Sequence, residues 1–210
     1  MNKNNNTVWD EKKIRILNVS RQIFARFGFN KATMDDIARA MGMRKGSLYY
    51  YYKSKEDIIE DVILFESEQF LQGLQKEIAR ARTAKGKVQA FLQYRLERFK
   101  QAFNLQRISI QSFLEVGPMV HNLYKKSFEK EVSLLSSIIK EGILKGQFVQ
   151  YPSKKIARNL LTLSDAFQFQ EFQKNPTGTI AEIDYTAIKK EVKFITDIIL
   201  NGISKKIEER

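Results

Sequence analysis

Apolar side chains recur at every third or fourth position through most of the chain, which is the spacing of one face of an α-helix. The first such segment runs from about Glu11 to Phe27 and carries Ile14, Leu17 and Phe24 on its apolar stripe. Glycine, proline and helix-capping residues separate it from the later segments. The pattern predicts an all-α protein, with helices at about residues 11–27, 33–41, 45–51, 54–80, 84–103, 105–116, 119–145, 153–173 and 184–206.

The predicted breaks between the later helices contain glycine or proline, at Gly117-Pro118, at 146–152 and at 175–178. The helix predicted over 54–80 contains no such break, and would be about 40 Å long at a rise of about 1.5 Å per residue. It is longer than a small bundle can cover, so we expect it to join two domains. These are predicted to comprise residues 1–54 and 55–210, with the polar, Asn-rich segment 1–10 disordered.

Residues 33–52 have the proportions of a helix-turn-helix, with a short helix, a glycine at the turn and a second short helix. Thr33 followed by Asp36 is typical of a capped helix start, and Gly42 marks the turn. Apolar Leu48 is placed to pack inward. The exposed positions of the second helix carry hydrogen-bond donors, which suit the base edges and phosphates of a DNA duplex.

The formal net charge of +12 is unevenly distributed. Residues 1–53 contain eleven Lys and Arg against four Asp and Glu, so this quarter of the chain contributes +7 and the remainder +5. A basic excess fits nucleic acid, acidic membranes or acidic proteins as partners. Its coincidence with the predicted helix-turn-helix favours DNA.

Several chemistries have no basis in the sequence. There is no cysteine and a single histidine, His121, so disulfides and a metal site are not expected. We find no nucleophile motif, paired carboxylates or phosphate-binding glycine loop, so we expect neither an enzyme nor a cofactor. The start does not resemble a signal peptide and no apolar run is long enough to cross a bilayer, which predicts a cytoplasmic protein without a membrane partner.

The front segment closely resembles the DNA-binding signature of TetR-family transcription regulators. The residues that carry the resemblance are Ile16-Leu17, Phe24, Phe27-Gly28-Phe29, Ala32-Thr33, Asp36-Ile37-Ala38, Met41-Gly42-Met43, Lys45-Gly46-Ser47-Leu48-Tyr49, Tyr52 and Lys55-Glu56. The resemblance covers about the first quarter of the chain, and beyond it rests on helix order. It implies a helix-turn-helix bundle joined by a long helix to a ligand-binding and dimerisation domain.

The resemblance and the exposed positions together define a predicted DNA-contacting set. Its members are Thr33, Arg44, Lys45, Gly46, Ser47, Tyr49, Tyr50, Tyr51 and Lys55. Thr33 and Lys55 are expected to clamp phosphates, and Lys45 and Ser47 to reach base edges or phosphates. Two positions depart from the family pattern: Arg44 replaces a small capping residue, and Tyr51 replaces a frequent histidine. Tyr52 is expected in the core.

The last two predicted helices carry apolar seams at spacings of three and four, which are typical of packed helix pairs. The predicted seams consist of Ile156, Leu160, Leu163, Phe167, Ile188, Val192, Ile195 and Ile199. Because Phe194 and Ile198 widen the last seam beyond one neighbour, we expect these seams to form a homodimer interface of four helices. Twofold symmetry would suit a palindromic DNA site.

The middle of the chain is rich in aromatic residues. The simplest interpretation is ordinary core, but beside polar groups the same residues could line a small-molecule pocket. The predicted pocket residues are Tyr94, Phe99, Phe103, Phe113, His121, Tyr124, Asn159 and Phe167.

We therefore expect a sequence-specific DNA-binding regulator, a repressor that a small, largely apolar effector releases from a palindromic operator. Two alternatives stay open at this point. One is a DNA-binding factor without an effector, acting in nucleoid or division control. The other is a helical adaptor that binds acidic surfaces.

Overall fold

The computed structural model describes residues 9–104 and 110–205, and for 101–104, 111–116 and 118–120 it describes the backbone alone. These residues form α-helices and one 3₁₀ turn, Ile180–Glu182, and their only β-type pairing is an isolated bridge between Phe148 and Ser204. The helices are α1 Glu11–Phe27, α2 Met34–Ala40, α3 Lys45–Tyr51, α4 Lys55–Arg80, α5 Ala84–Asn104, α6 Ile110–Leu144, α7 Ser153–Lys174 and α8 Tyr185–Ile203. The all-α prediction is confirmed.

The chain divides into two compact units, Met1–Glu66 and Ser67–Arg210, and α4 has residues in both. The assignment of DNA binding to residues 1–54 and of ligand binding and dimerisation to 55–210 stays a prediction. None of the helices in the described part of the chain combines the length and the apolar character that crossing a bilayer requires.

The first unit is a small bundle built around the apolar stripe of α1. Its fully buried side chains include Ile16, Leu17, Ile37, Leu48 and Ile58, one or two from each of its helices. Burying a side chain of this size stabilises a fold by about 1.5–3 kcal/mol. The inward stripes of α1, α2 and α3 therefore determine which faces of the short helices remain exposed.

The second unit packs α5, α6, α7 and α8 around one apolar core. Fully buried members of that core are Val88, Phe91, Leu135, Ile139, Leu160, Leu161 and Leu200. The turn after α6 is closed by Gly146 at φ +68°, a backbone conformation that favours glycine. The backbone of Val149 then donates to Ile203 O at 2.8 Å, which ties this turn to the end of α8.

The predicted helix break at Gly117-Pro118 is wrong, because α6 runs without interruption from Ile110 to Leu144. A proline removes one backbone donor and crowds one carbonyl, at a cost of about 3 kcal/mol in a helix interior. The rest of this long helix keeps its hydrogen bonds, and Val132, Leu135 and Ile139 bury its apolar face. Tertiary packing has therefore overridden a local helix-breaking signal. The predicted helix start at Leu105 lies outside the described residues.

Candidate functional site

A reciprocal capping interaction fixes the start of α2. The Thr33 hydroxyl accepts from the Asp36 backbone N–H at 3.2 Å, while the Asp36 carboxylate accepts from the Thr33 backbone N–H at 3.0 Å. Hydrogen bonds from the Thr33 side chain and backbone hold the pKa of Asp36 below its ordinary value. The Thr33 hydroxyl also donates to Asp36 Oδ2 at 2.6 Å, so the side chain predicted to clamp a phosphate is engaged in the cap.

The turn between α2 and α3 depends on one glycine. Gly42 has φ +65°, in the left-handed region where a Cβ is unfavourable. The Met43 backbone N–H then donates to Ala38 O at 3.0 Å, which closes the turn back onto α2. This geometry directs the chain into α3 with Leu48 fully buried beneath it.

The outer face of α3 carries most of the predicted DNA-contacting side chains. Arg44, Lys45, Gly46 and Ser47 are exposed, as are Tyr49 at 43% and Tyr50 at 84% of their surface, while Tyr51 is half-buried. Arg44 occupies the N-cap position and its side chain makes no capping hydrogen bond, as its departure from the family pattern suggested. Its guanidinium is therefore not used to start the helix.

Tyr52 behaves differently from the three tyrosines before it. It is 4% exposed, and its hydroxyl donates to the Asp61 carboxylate of α4 at 3.0 Å. The prediction that Tyr52 belongs to the core is confirmed. The contact also joins the residue that follows α3 to the first half of α4.

An acidic partner for Lys45 was not anticipated from the sequence. Lys45 Nζ lies 2.9 Å from Asp35 Oδ1 and 5.9 Å from the centre of the Tyr49 ring. The hydrogen bond to Asp35 raises the pKa of Lys45 above its ordinary value. Both side chains are more than half exposed, so the amine is paired but open to solvent. Asp35 precedes the capping residue Asp36 on α2, and nothing in the local sequence pattern indicated this pairing.

A second unexpected cation lies beside the tyrosines. Lys12 Nζ of α1 is 5.6 Å from the centre of the Tyr51 ring, and that ring meets Tyr50 edge-on at 5.2 Å between centres. Lys12 thus belongs to the same basic and aromatic surface as α3. Its place near the start of α1 gave no sign of this in the sequence.

Lys55, at the first position of α4, has partners within the protein. Its Nζ lies 2.8 Å from Phe29 O, 3.1 Å from Asn30 O and 3.1 Å from Ala32 O. The structure thus brings Lys55 to the loop before Thr33. A phosphate contact of Lys55 stays a prediction.

In the second unit, the described members of the predicted pocket set have different partners and different exposure. Tyr94 packs on Phe70 at 5.6 Å between ring centres, and Phe99 stacks on Phe172 at 6.0 Å. Phe167 packs against the core from a half-buried position, whereas the side chains of His121, Tyr124 and Asn159 are exposed. The side chains of Phe103 and Phe113 lie outside the described part of the structure.

A buried ionic cluster connects three helices of this unit. Arg95 of α5 is 9% exposed, and its guanidinium lies 2.6 Å from Glu131 Oε2 of α6 and 2.6 Å from Asp165 Oδ1 of α7. Tyr124 donates its hydroxyl hydrogen to the other oxygen of Asp165. Sequence analysis missed this cluster because its members are far apart in the chain.

The pKa values in the cluster reflect burial and pairing. Burial alone would lower the pKa of Arg95, but the Glu131 and Asp165 carboxylates outweigh it and hold that pKa above its ordinary value. Burial raises the pKa of Glu131, against the opposing effect of Arg95. Desolvation around the Tyr124 hydroxyl, together with the neighbouring Asp165 carboxylate, also raises the pKa of Tyr124, although about half of its side chain is exposed. The guanidinium is therefore the charge on which the cluster depends.

Three of the eight predicted dimer-seam residues are buried within a single protomer, and their part in a dimer interface stays a prediction. Leu160, Ile188 and Val192 are at most 4% exposed within a single protomer. The other seam residues, Ile156, Leu163, Phe167, Ile195 and Ile199, are half-buried. The large apolar side chains exposed on these two helices are instead Phe169 at 49%, Phe194 at 64% and Ile198 at 50%.

Comparisons with known proteins agree with the architecture. Residues 16–62 match the model of the family described as bacterial regulatory proteins, tetR family. Over 207 residues the chain is 22% identical to the fatty acid metabolism regulator protein of Bacillus subtilis, covering 93% of this chain and 97% of that protein. A transcriptional regulator from Cytophaga hutchinsonii superposes with a TM-score of 0.77 at 26% identity, covering 93% of this chain and 100% of that one.

A second solved structure adds a bound small molecule. A regulator from Saccharomonospora viridis, in complex with choline, superposes with a TM-score of 0.70 at 18% identity, covering 93% of this chain and 99% of that one. The helix-turn-helix of the first unit and these likenesses define a DNA-binding transcriptional regulator. Residues 16–62 therefore form a DNA-binding segment of the tetR type, and the relatives that the chain resembles along most of its length are transcriptional regulators.

Proposed function

We propose that this protein is a homodimeric repressor that holds a palindromic operator through α3 and releases it when a small, largely apolar effector binds the second unit. The observation that carries the proposal is the outer face of α3. There Arg44, Lys45, Ser47 and two tyrosines are exposed on a helix whose inner residue, Leu48, is fully buried. A rigid helix with exposed donors is what reading of a major groove requires.

The proposed DNA contacts on α3 have distinct roles. In this proposal Lys45, Ser47 and Arg44 contact base edges or phosphates, and the hydroxyls of Tyr49 and Tyr51 add hydrogen bonds that fix register. Tyr50 and Tyr51, with Lys12 beside them, extend this surface toward the start of α1. A second copy of the same surface in a dimer would meet the next major-groove face about 34 Å away.

The proposed dimer interface uses the exposed apolar residues of the last two helices. Phe169, Phe194 and Ile198 form it, on helices whose other apolar faces already pack within the protomer. TetR-family regulators act as dimers, and pairing two copies of an α7–α8 hairpin gives a four-helix interface. Burial of these side chains would remove apolar surface from water in each copy.

Effector release is proposed to act through α4, which has residues in both units. An effector that favours the position of α4 in the form that does not bind DNA would lower the affinity for the operator. The coupling free energy between effector binding and operator binding is typically about 1–3 kcal/mol per site. Aromatic pairs in the second unit support an apolar effector, among them Phe70 with Tyr94 and Phe99 with Phe172. Fatty acids and choline are the first probes, because one relative is named a fatty acid metabolism regulator and another solved structure contains choline.

Selection from a random DNA library tests the function directly. Purified protein is incubated with random duplexes, and bound duplexes are sequenced after competition at two salt concentrations. We expect enrichment of one palindrome whose affinity falls with salt but stays above that of random DNA. Binding that shows no sequence preference and disappears at the higher salt would overturn the proposal and leave only an electrostatic surface.

The effector is tested by adding fatty acids and choline to the complex of protein and operator. If no small molecule releases the intact dimer from the operator, the effector is removed from the proposal.

The Lys45–Asp35 pair allows a test with opposite outcomes. Lys45→Gln is expected to reduce the ratio of operator to random-DNA affinity by about tenfold, because a base-edge donor is lost. Asp35→Asn is expected to increase affinity for both DNAs, because a carboxylate 2.9 Å from Lys45 Nζ repels phosphates and competes for the amine. Fluorescence anisotropy with both duplexes measures the two effects. Equal losses on operator and random DNA for Lys45→Gln would assign Lys45 to phosphate only.

A further inference from the structure

The ammonium of Lys55 is enclosed by backbone oxygens of the α1–α2 loop. The carbonyls of Phe29, Asn30 and Ala32 all lie within 3.1 Å of Nζ, and the centre of the Phe29 ring lies 4.7 Å from it. An ammonium group has three N–H donors, which equals the number of carbonyls around it. The whole hydrogen-bonding capacity of Lys55 is therefore directed into the protein.

These carbonyls belong to the loop that determines where α2 begins. Ala32 is 1% exposed, its backbone N–H donates to Gly28 O at 3.1 Å, and Thr33 follows it as the cap of α2. Carbonyl oxygens that converge on one point repel one another unless a donor lies between them, and a charged donor binds them most strongly. Lys55 thus stabilises a loop conformation that would otherwise be unfavourable.

We propose that Lys55 is a positioning residue for the helix-turn-helix: it holds the α1–α2 loop, and through it α2 and α3, in the orientation that DNA recognition needs. This inference rests on the proposed function. It differs from a phosphate contact, because the same three donors cannot serve the loop and a phosphate at once.

Two substitutions separate the roles, and Lys140→Met is the matched control. Lys55→Met removes the donors and the charge, whereas Lys55→Arg keeps the charge. Lys140 is an exposed lysine on α6, so its replacement changes net charge equally and leaves every residue of the first unit unchanged. Anisotropy at several salt concentrations gives the operator affinity of each variant and its salt slope, after titration of the active fraction.

Lys55→Met is expected to weaken operator binding about tenfold. The slope of its log affinity against log salt concentration is expected to equal that of the Lys140→Met control. Loss of a phosphate contact would instead flatten the slope by about 0.9. Lys55→Arg is also expected to bind more weakly than the unmodified chain, since a planar guanidinium cannot direct three N–H groups at one point, although arginine binds phosphate well. The proposal is overturned if the salt slope of Lys55→Met is flattened, or if its active fraction binds the operator with unchanged affinity. It is also overturned if Lys55→Arg binds with full affinity. If Lys55→Met does not fold, the affinity and salt slope of Lys55→Arg decide the question.

Hydrogen exchange without DNA tests the loop independently. In Lys55→Arg the amides of Ala32 and Thr33 are expected to exchange faster than in the Lys140→Met control, while amides in the second unit are unchanged. Unchanged exchange at these two amides would overturn the proposal. If the unmodified chain selects no operator, the proposed function fails, and this experiment still reports whether Lys55 holds the loop.

Discussion

Phe194→Arg is expected to convert the protein to a monomer and to weaken binding to its palindromic operator by about a hundredfold or more. Phe194 is 64% exposed in the protomer and lies one helical turn from Ile198, which is 50% exposed. A buried arginine without a partner opposes association, because its charge would lose hydration without compensation. Without the dimer each helix-turn-helix binds its half-site alone, and the gain from simultaneous binding of two half-sites is lost.

Leu144→Arg is the matched control for this substitution. Leu144 is more exposed than Phe194, at 78%, but it ends α6 and lies on neither α7 nor α8. Leu144→Arg adds the same charge as Phe194→Arg, so any general increase in affinity for DNA is shared by both variants. Analytical ultracentrifugation gives the oligomeric state, and anisotropy gives affinity for the full palindrome and for one half-site. A dimeric Phe194→Arg variant with undiminished operator affinity would show that another surface pairs the protomers.

Arg95→Met is expected to reduce the free energy of unfolding by about 3–5 kcal/mol, the usual cost of leaving buried charges without their partner. Glu131 and Asp165 both lie 2.6 Å from the guanidinium, and its removal leaves the largely buried Glu131 and the partly exposed Asp165 without their cationic partner. Arg158→Met is the control, because Arg158 pairs with Glu129 at the surface and its loss is expected to change stability much less. Urea denaturation of the full chain measures both.

The pH dependence of Arg95→Met follows from the raised pKa of Glu131. A carboxyl group whose pKa is raised on folding favours the folded state below its unfolded pKa, and this contribution is lost as pH rises through the folded pKa. Without Arg95 the pKa of Glu131 rises further. The difference in free energy of unfolding between Arg95→Met and the unmodified chain should therefore shrink when the pH is lowered from 7.5 to about 5.

Adding Glu131→Leu and Asp165→Asn to Arg95→Met is expected to restore much of the lost stability, because no unpaired buried charge remains. Together these measurements test whether the cluster depends on its guanidinium. Equal, small losses in Arg95→Met and Arg158→Met would show that the carboxylates of the cluster are well solvated.

Local sequence signals predicted most of the helices. The bounds of α1 and α3 agree with the prediction, because Gly28 and the capping residues are read within one or two helical turns. The same reasoning failed at Pro118, where the packing of a long helix outweighs one missing hydrogen bond. Local signals are thus reliable where tertiary contacts reinforce them, and fail where a larger apolar face opposes them.

The sequence by itself determined that this chain is helical, that residues 33–52 form a helix-turn-helix, and that a basic face accompanies it. Those properties depend on periodicity, capping and charge, which are all local. Only the tertiary structure decided that Asp35 pairs with Lys45, that loop carbonyls enclose Lys55 and that Arg95 joins Glu131 and Asp165. It also decided that Leu160 and Ile188 face inward while Phe194 faces outward. Periodicity shows that a helix has an apolar face, but packing of distant segments decides what covers that face and which charges meet.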